Sequence, residues 1–288
     1  MRKLAKFLFV EIFYNGHFQT LGSLAIIVIA GDFLNIKITW DLIIISYLSF
    51  YLIYLHDRYR GIKSDFATNP VRSKHISSFY KYVPFIMIAI SFILIIFILI
   101  FSNANAAVFI FLMVLFGLLY PIYFKNLTKK IPIFKNFYVA SVFTLLVFLP
   151  PIYYSNQSFW QNSNLLIAAV SLSLFILIRG LMMQIFLDLK DLESDKKEGL
   201  LTLGALWGKE KTIKLLKALI IITPFFMPLL FVVFPHILIK SSMFLIFLIP
   251  INYYYLHLIK KGKAMGFILE SGEFIPWLIL IYIAKLII

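Results

Sequence analysis

Residues 85–96 read Phe85-Ile-Met-Ile-Ala-Ile-Ser-Phe-Ile-Leu-Ile-Ile96. This stretch carries no charge, and it does not alternate between apolar and polar residues as a strand of an outer-membrane barrel would. With its flanks it forms an apolar segment over 82–102, and ~20 apolar residues in a helix are enough to cross the hydrocarbon core of a bilayer. The stretch therefore predicts a membrane-spanning helix and an all-α fold.

Similar apolar segments recur along the whole chain, and we predict nine spans. They lie near 14–33, 39–56, 82–102, 104–123, 136–155, 163–187, 213–234, 237–257 and 270–288. Nine spans leave room only for short connections. We therefore expect one domain over residues 1–288, a polytopic bundle of nine transmembrane helices around a central cavity.

The composition of the 288 residues excludes a soluble enzyme. Hydrophobic residues make up 62% of the chain, charged residues only 14%, and the mean hydropathy is +0.94. Soluble domains carry about 25% charged residues, so this chain lacks the polar surface that would keep it in water. The chain has no cysteine, which excludes disulfides, thiolate metal sites and cysteine nucleophiles.

The net charge of +14 serves membrane topology rather than a nucleic-acid partner. All but four of the 27 lysines and arginines precede the first span, or lie in loops or at span ends on the same side of the membrane. The exceptions are Lys37, Lys240 and Lys285, and Arg179 within a span, where we expect it to pair with an acid on a neighbouring helix. The positive-inside rule then places the N-terminus and the basic loops, beside anionic lipid headgroups, in the cytoplasm. We expect a multi-pass protein of a prokaryotic inner membrane.

Acidic residues concentrate directly after the sixth span. If its helix continues, Asp188, Asp191 and Asp195 fall at i, i+3 and i+7 and share one face, with Gln184 one turn earlier. Like charges so placed repel each other unless a cation neutralises them. Ionisable groups at a membrane edge are usually functional, although a solvated acidic turn paired with neighbouring lysines is the alternative.

A second polar cluster follows the second span on the same side of the membrane. Asp57 and Asp65 are eight residues apart, again on about one helical face. Two facing sets of carboxylates suit Mg²⁺, which joins a few carboxylates to substrate phosphates. Arg58, Arg60 and Arg72, with the lysines of the 124–135 loop, suit the phosphate oxygens. The two clusters together predict a site for a lipid diphosphate.

At these motifs the chain resembles the UbiA-type intramembrane prenyltransferase superfamily. The second motif of the superfamily, Asp-x-x-Asp-x-x-x-Asp, is matched by Asp188, Asp191 and Asp195. Its usual continuation is matched by Gly199, Thr202-Leu203 and Gly208, and Tyr120-Pro121 and Lys135-Asn136 resemble the connection after the fourth span.

The first motif of the superfamily is matched only in part. Its pattern, Asn-Asp-x-x-Asp-x-x-x-Asp, has Asp57 in place of the asparagine, Arg58 and Gly61 in place of two aspartates, and Asp65 at the last position. Asn69-Pro70-x-Arg72 resembles the segment that follows. The departures leave open the number of metal ions and the substrate.

The resemblance implies transfer of a prenyl group from an isoprenoid diphosphate to a hydrophobic or aromatic acceptor in the membrane. It implies Mg²⁺ as the cofactor and five aspartates as its catalytic ligands: Asp57, Asp65, Asp188, Asp191 and Asp195. It assigns substrate contacts to Asn69, Arg72, Lys130, Lys135 and Gln184. Tyr54 is a candidate for cation–π stabilisation of the allylic cation, worth ~1–2 kcal/mol when desolvated.

Other activities remain to be weighed against this one. A terpene cyclase of the same superfamily would ionise the same diphosphate without an acceptor, and only the acceptor pocket would differ. A transporter is disfavoured because the acids form two clusters near loops, and no glycine- or proline-broken helix pairs are evident in corresponding halves. A CDP-alcohol phosphotransferase is excluded because its Asp-Gly-x-x-Ala-Arg core is missing.

Overall fold

The protein is all-helical, as the sequence predicts. The computed structural model describes residues 2–287, except for the side chains of residues 2, 3, 5, 6, 63–65 and 67. Within that range the chain forms fifteen α-helices joined by short turns and 3-10 segments, and it forms no β-strand.

Each predicted apolar segment overlaps at least one helix. The N-terminal half contains α1 (Arg2–Tyr14), α2 (His17–Phe33), α3 (Trp40–Thr68), α4 (Pro70–Phe79), α5 (Val83–Phe101), α6 (Ala104–Leu119) and α7 (Phe134–Leu145). The C-terminal half contains α8 (Leu149–Tyr153), α9 (Gln157–Gln161), α10 (Ser163–Glu198), α11 (Leu203–Ile222), α12 (Phe226–Val233), α13 (Leu248–Lys260), α14 (Ala264–Glu270) and α15 (Phe274–Ile287). Helices α3, α10 and α11 extend beyond the segments predicted for them.

Five helical stretches are long and apolar enough to cross a membrane. They are Pro70–Phe101, Phe134–Tyr153, Ser163–Glu198, Leu203–Val233 and Lys240–Lys260. Two bent pairs raise the number to seven if each pair is one span: Phe7–Tyr14 with His17–Phe33, and Ala264–Glu270 with Phe274–Ile287. The other two predicted spans correspond to α3, which carries charged residues near both ends, and to α6, which has only 16 residues. The count of nine therefore stays a prediction.

The outer face of α5 shows which surface meets lipid. Phe85, Ile88, Phe92 and Leu99 are 65–78% exposed although they are large and apolar. A soluble protein rarely presents a contiguous apolar surface of this kind. Together with the apolar helices, this surface identifies an integral membrane protein.

The two bent pairs pack against each other inside the bundle. The first bends by 49° around Gly16, which has a φ of 106°, and the second bends by 60° at residues 271–273. A Cβ added to Gly22 would lie 3.5 Å from Cα of Gly272, so the two segments approach closely. The sequence did not reveal these broken helices.

The longest helix, α10, carries the acidic residues and packs against α7 and α11. It ends at Gly199, whose φ of 70° is the left-handed conformation that glycine adopts at little cost. The backbone N–H of Leu200 then donates to the carbonyl of Asp195 at 2.8 Å. This end holds the last turn of the acidic face in helical geometry.

Candidate functional site

The three aspartates of α10 lie on one helical face, as their spacing predicts, because α10 continues unbroken to Glu198. We call Asp188, Asp191 and Asp195 the acidic face. Asp188 is fully buried. Its Oδ1 accepts from Lys135 Nζ at 3.0 Å, and its Oδ2 accepts from Asn136 Nδ2 at 2.7 Å. A buried carboxylate is thus both neutralised and hydrogen-bonded, as burial of charge requires.

Close helix packing brings Lys135 and Asn136 to Asp188. Both residues lie in the first turn of α7. Further along this helix, a Cβ added to Gly180 of α10 would lie 3.2 Å from Cβ of Ala140. A larger side chain at residue 180 would push the helices apart, so a glycine there lets the start of α7 reach the acidic face.

Asp195 is tied to the start of α11. Its Oδ2 accepts from Thr202 Oγ1 at 3.0 Å, and the same hydroxyl accepts from the backbone N–H of Ala205 as the N-cap of α11. Thr202 therefore fixes both the carboxylate and the next helix. This contact gives a physical role to the threonine that follows the second motif.

Asp191 differs from its two neighbours on the acidic face. Its side chain is 26% exposed, and Oδ2 lies 4.0 Å from Lys190 Nζ. Its Oδ1 is buried and has no hydrogen-bond partner in the part of the chain that the structure describes. Among the described residues, the three carboxylates pair with two lysines, Lys135 at 3.0 Å and Lys190 at 4.0 Å, so the acidic face keeps an excess of one negative charge.

Polar contacts bring the two predicted clusters to the same end of the bundle. Lys190 Nζ, on α10, donates to Oδ1 of Asn69 at 3.0 Å, and Lys125 pairs with Glu198 at 3.1 Å. Tyr120 lies within electrostatic reach of Asp57, Asp188 and Asp195, and its buried hydroxyl has no hydrogen-bond partner among the described residues.

Asp57 opens onto a cleft of about 330 Å³ at this end. Asp57 itself is exposed. The cleft is lined by Asp57, Tyr59, Arg60, Gly61, Ile62, Tyr80, Pro121 and Lys125. Two basic side chains and one carboxylate around an open cleft favour an anionic ligand.

The remaining predicted site residues differ in their burial and in their contacts. The side chain of Asp65 lies outside the described residues, and Arg72 lies half-buried on α4. Lys130 is exposed, and it forms no ion pair with any carboxylate that the structure describes. Gln184 is buried on α10, and no described residue hydrogen-bonds its side chain.

Tyr54 and Arg58 turn toward α2. The guanidinium of Arg58 lies 5.5 Å from the centre of the Tyr54 ring, and Arg58 is buried. Arg58 donates to the carbonyl of Tyr14 at 2.9 Å and to Oε1 of Gln19 at 3.1 Å. Arg58 therefore braces the Gly16 bend, and the expectation that it suits phosphate oxygens is not supported.

The sequence did not predict two of the contacts that hold the acidic face. Asn136 and Thr202 each hold one aspartate of the acidic face. The neighbouring Lys135-Asn136 pair and the Thr202-Leu203 pair were visible only as parts of the resemblance. Asn136 and Asp188 are 52 positions apart, so their contact depends on how distant helices pack. Thr202 and Asp195 are only seven positions apart, so their contact is local.

The sequence of the central region decides the family. The UbiA prenyltransferase family model matches residues 83–266, well over half of the chain. The chain belongs to the UbiA prenyltransferase family. It is therefore a membrane prenyltransferase.

Two solved structures share the fold of this prenyltransferase. An apo UbiA homologue from Aeropyrum pernix K1 is 14% identical, with 93% of this chain and 97% of that chain covered and a TM-score of 0.64. A structure from work on the biosynthesis of digeranylgeranylglyceryl phosphate synthase in membranes is 18% identical, with 99% and 97% covered and a TM-score of 0.52. No curated protein sequence matches the chain significantly.

Proposed function

We propose that this prenyltransferase transfers a prenyl group from an isoprenoid diphosphate to a hydrophobic or aromatic acceptor, and that it requires Mg²⁺. The diphosphate would lie between the acidic face of α10 and the cleft at Asp57. The excess negative charge of the acidic face is the observation that carries this proposal, because it suits a divalent cation and, through it, a diphosphate.

The donor chemistry of the acidic face fits Mg²⁺. In the part of the chain that the structure describes, no three histidine or acidic residues converge on one point as a closed cage. Mg²⁺ rarely uses such a cage, since it keeps several water ligands and needs only one or two carboxylates plus substrate phosphates. Asp191, with its unpartnered buried oxygen, and Asp195 are the best placed ligands, and we propose Asp57, Asp65 and Asp188 as the others. Bound there, Mg²⁺ would act as a Lewis acid that neutralises charge on the departing diphosphate.

The basic residues at this end have separate roles in the proposal. Lys135 and Asn136 hold Asp188 in one orientation, so the acidic face is preorganised. Lys125 and Arg60 line the cleft and would meet the phosphate oxygens. Asn69 is held by Lys190 at the junction of the two clusters, and we propose that Arg72 and Lys130 approach only when substrate is bound.

The apolar part of the substrate would lie deeper in the bundle. Gln184 shares the face of α10 with Asp188 one turn further into the membrane segment, so it would meet the first carbons of the prenyl chain. Tyr120 offers a free hydroxyl beside the carboxylates. A lipid-lined chamber would exclude water and so protect the allylic cation. We propose Tyr54 as a residue that stabilises this cation.

We further propose a single domain whose nine spans keep the N-terminus and the diphosphate site in the cytoplasm of a prokaryotic cell. The ion pair of Lys285 with Asp32, at 2.7 Å, supports a separate opposite end of the bundle. The contacts from Lys190 and Lys125 support one common end for both acid clusters.

An assay of the purified protein in lipid nanodiscs tests the function. Prenyl diphosphates of several chain lengths are offered with an aromatic acceptor, with a lipid acceptor and with none, each with Mg²⁺ or with EDTA. We expect prenylated acceptor and released diphosphate only with Mg²⁺. Terpene hydrocarbons or alcohols formed without acceptor would show that the enzyme is a cyclase rather than a transferase. Full activity in EDTA would refute the metal requirement.

A further inference from the structure

A second group of charged and polar side chains lies inside the bundle, away from the acidic face. It consists of Arg179 on α10, Asn252 on α13, Glu270 at the end of α14 and Glu273 in the turn before α15, and all four are buried. Arg179 precedes Asp188 by nine residues, which is ~13 Å along a helix. The group is therefore distinct from the proposed diphosphate site, and charge at this depth in a membrane protein is usually functional.

Arg179 is paired with Glu273 through a terminal guanidinium nitrogen, while its buried Nε has no hydrogen-bond partner among the described residues. The two side chains form an ion pair, and Arg179 also donates to Oδ1 of Asn252 at 2.6 Å and to Oγ1 of Thr223 at 2.9 Å. Glu273 further accepts from Nδ2 of Asn252 at 2.7 Å and from the indole N–H of Trp277 at 3.1 Å. The expected pairing of Arg179 with an acid is thus confirmed, although the acid lies in the turn between α14 and α15 rather than on a helix.

Glu270 forms no ion pair with any side chain that the structure describes. Its Oε2 has one long contact, from Nδ2 of Asn252 at 3.3 Å, and its Oε1 is buried without a hydrogen-bond partner among residues 2–287. The titratable groups that face it are Arg179, Glu273 and Tyr255. Two carboxylates and one guanidinium leave the group one positive charge short, and a buried unpaired carboxylate is strongly disfavoured.

We propose that the Glu270–Glu273 pair binds one small monovalent cation, a proton or a metal ion such as Na⁺, inside the membrane-spanning bundle. The unpartnered Oε1 of Glu270 is where that charge is missing. A proton there would make Glu270 a neutral carboxyl group, and Na⁺ would use the same oxygen as a ligand. Either ion would balance the group without disturbing the ion pair of Arg179.

The bound charge would secure the second bent pair of helices. Glu270 precedes the turn at residues 271–273 and Glu273 ends it, and within this turn Oγ of Ser271 accepts from Nε2 of Gln19 on α2 at 2.8 Å. Repulsion between two carboxylates across this turn would pull the bend open. Neutralising one of them keeps the turn seated against α2.

Glu270→Gln tests the site, with Glu273→Gln as the matched variant. Infrared spectra of the two variants and the wild type in nanodiscs are compared in the carbonyl region of protonated carboxyl groups, with the exposed Glu193→Gln as a control. Thermal unfolding is followed in sodium chloride and in choline chloride. Because glutamine mimics a neutral carboxyl group, we expect Glu270→Gln to keep its melting temperature within ~2 °C. Glu273→Gln should lose ~5–10 °C, since it leaves a buried arginine unpaired.

Two results support the site and distinguish the ion. A protonated-carboxyl band lost only in Glu270→Gln identifies a proton. A melting temperature that rises with Na⁺ in the wild type but not in Glu270→Gln identifies a metal ion. The absence of both signals from the wild type would overturn the proposal. That outcome needs only the wild-type protein, so it applies even if Glu273→Gln fails to fold.

Discussion

Asp191 is the one aspartate of the acidic face whose loss should remove function without loss of structure. Its Oδ1 has no hydrogen-bond partner among the described residues, and its Oδ2 lies 4.0 Å from Lys190 Nζ, so Asp191→Asn breaks no strong internal contact. We expect the unfolding free energy to change by less than ~0.5 kcal/mol. Turnover should fall by ~100-fold or more because charge on the leaving diphosphate loses a stabilising partner.

Product formation and thermal unfolding of the same preparation check this expectation. Glu193→Gln is the matched control, because Glu193 is exposed two residues further along α10 and should retain full activity. Normal turnover in Asp191→Asn would remove Asp191 from the site.

Lys135 should matter for stability as well as for activity. Lys135→Met leaves Asp188 fully buried with only Asn136 as a partner, and a broken buried ion pair costs about 3 kcal/mol. Thermal unfolding measures the loss. The exposed Lys129→Met, in the neighbouring loop, should change stability by less than ~0.5 kcal/mol. Equal stability of the two variants would show that the Asp188 pair contributes little.

At the scale of elements, α14 depends on its close approach to α13. A Cβ added to Gly266 would lie 2.8 Å from the carbonyl oxygen of Tyr255 and 3.0 Å from the backbone nitrogen of Ile259. Backbone atoms cannot relieve a steric clash by changing rotamer as a side chain can. Gly266→Ala should therefore destabilise the fold by ~2 kcal/mol. Denaturant or thermal unfolding in detergent measures this, with the exposed Ala264→Ser on the same helix as the control. A stable Gly266→Ala would mean that α14 can shift away from α13.

Helix α10 shows what the sequence could predict. The i, i+3, i+7 spacing of its aspartates placed them on one face correctly, because that inference needs only helical periodicity. The sequence could not show that Lys135 neutralises Asp188, since the two residues are 53 positions apart and meet only through the packing of α7 on α10.

The bent pairs show where periodicity fails. Apolar runs near 14–33 and 270–288 predicted one span each, without any sign that the chain bends at Gly16 and at residues 271–273. Tertiary contacts hold these bends, from Arg58 to the carbonyl of Tyr14 and from Gln19 to Ser271. Contacts between distant segments leave no periodic signal in the sequence.

At the scale of the whole molecule, sidedness can be tested directly because the chain has no cysteine. Lys196→Cys, near the acidic face, and Lys240→Cys, between α12 and α13, introduce exposed thiols on opposite predicted sides. A membrane-impermeant maleimide should label only Lys240→Cys in intact cells and label Lys196→Cys after the membrane is opened. Labelling of both in intact cells would reject the proposed topology and the count of nine spans.

The central proposal is that acids from both halves of the chain act on one diphosphate. Binding of an unreactive prenyl thiodiphosphate to Asp57→Asn, Asp191→Asn and the double variant, with Mg²⁺ and with EDTA, tests it most directly. We predict Mg²⁺-dependent binding that weakens by ~10-fold or more in each single variant, with a clearly non-additive double variant because both residues serve one ligand. Unchanged affinity in either single variant, or strictly additive losses, would contradict a shared site.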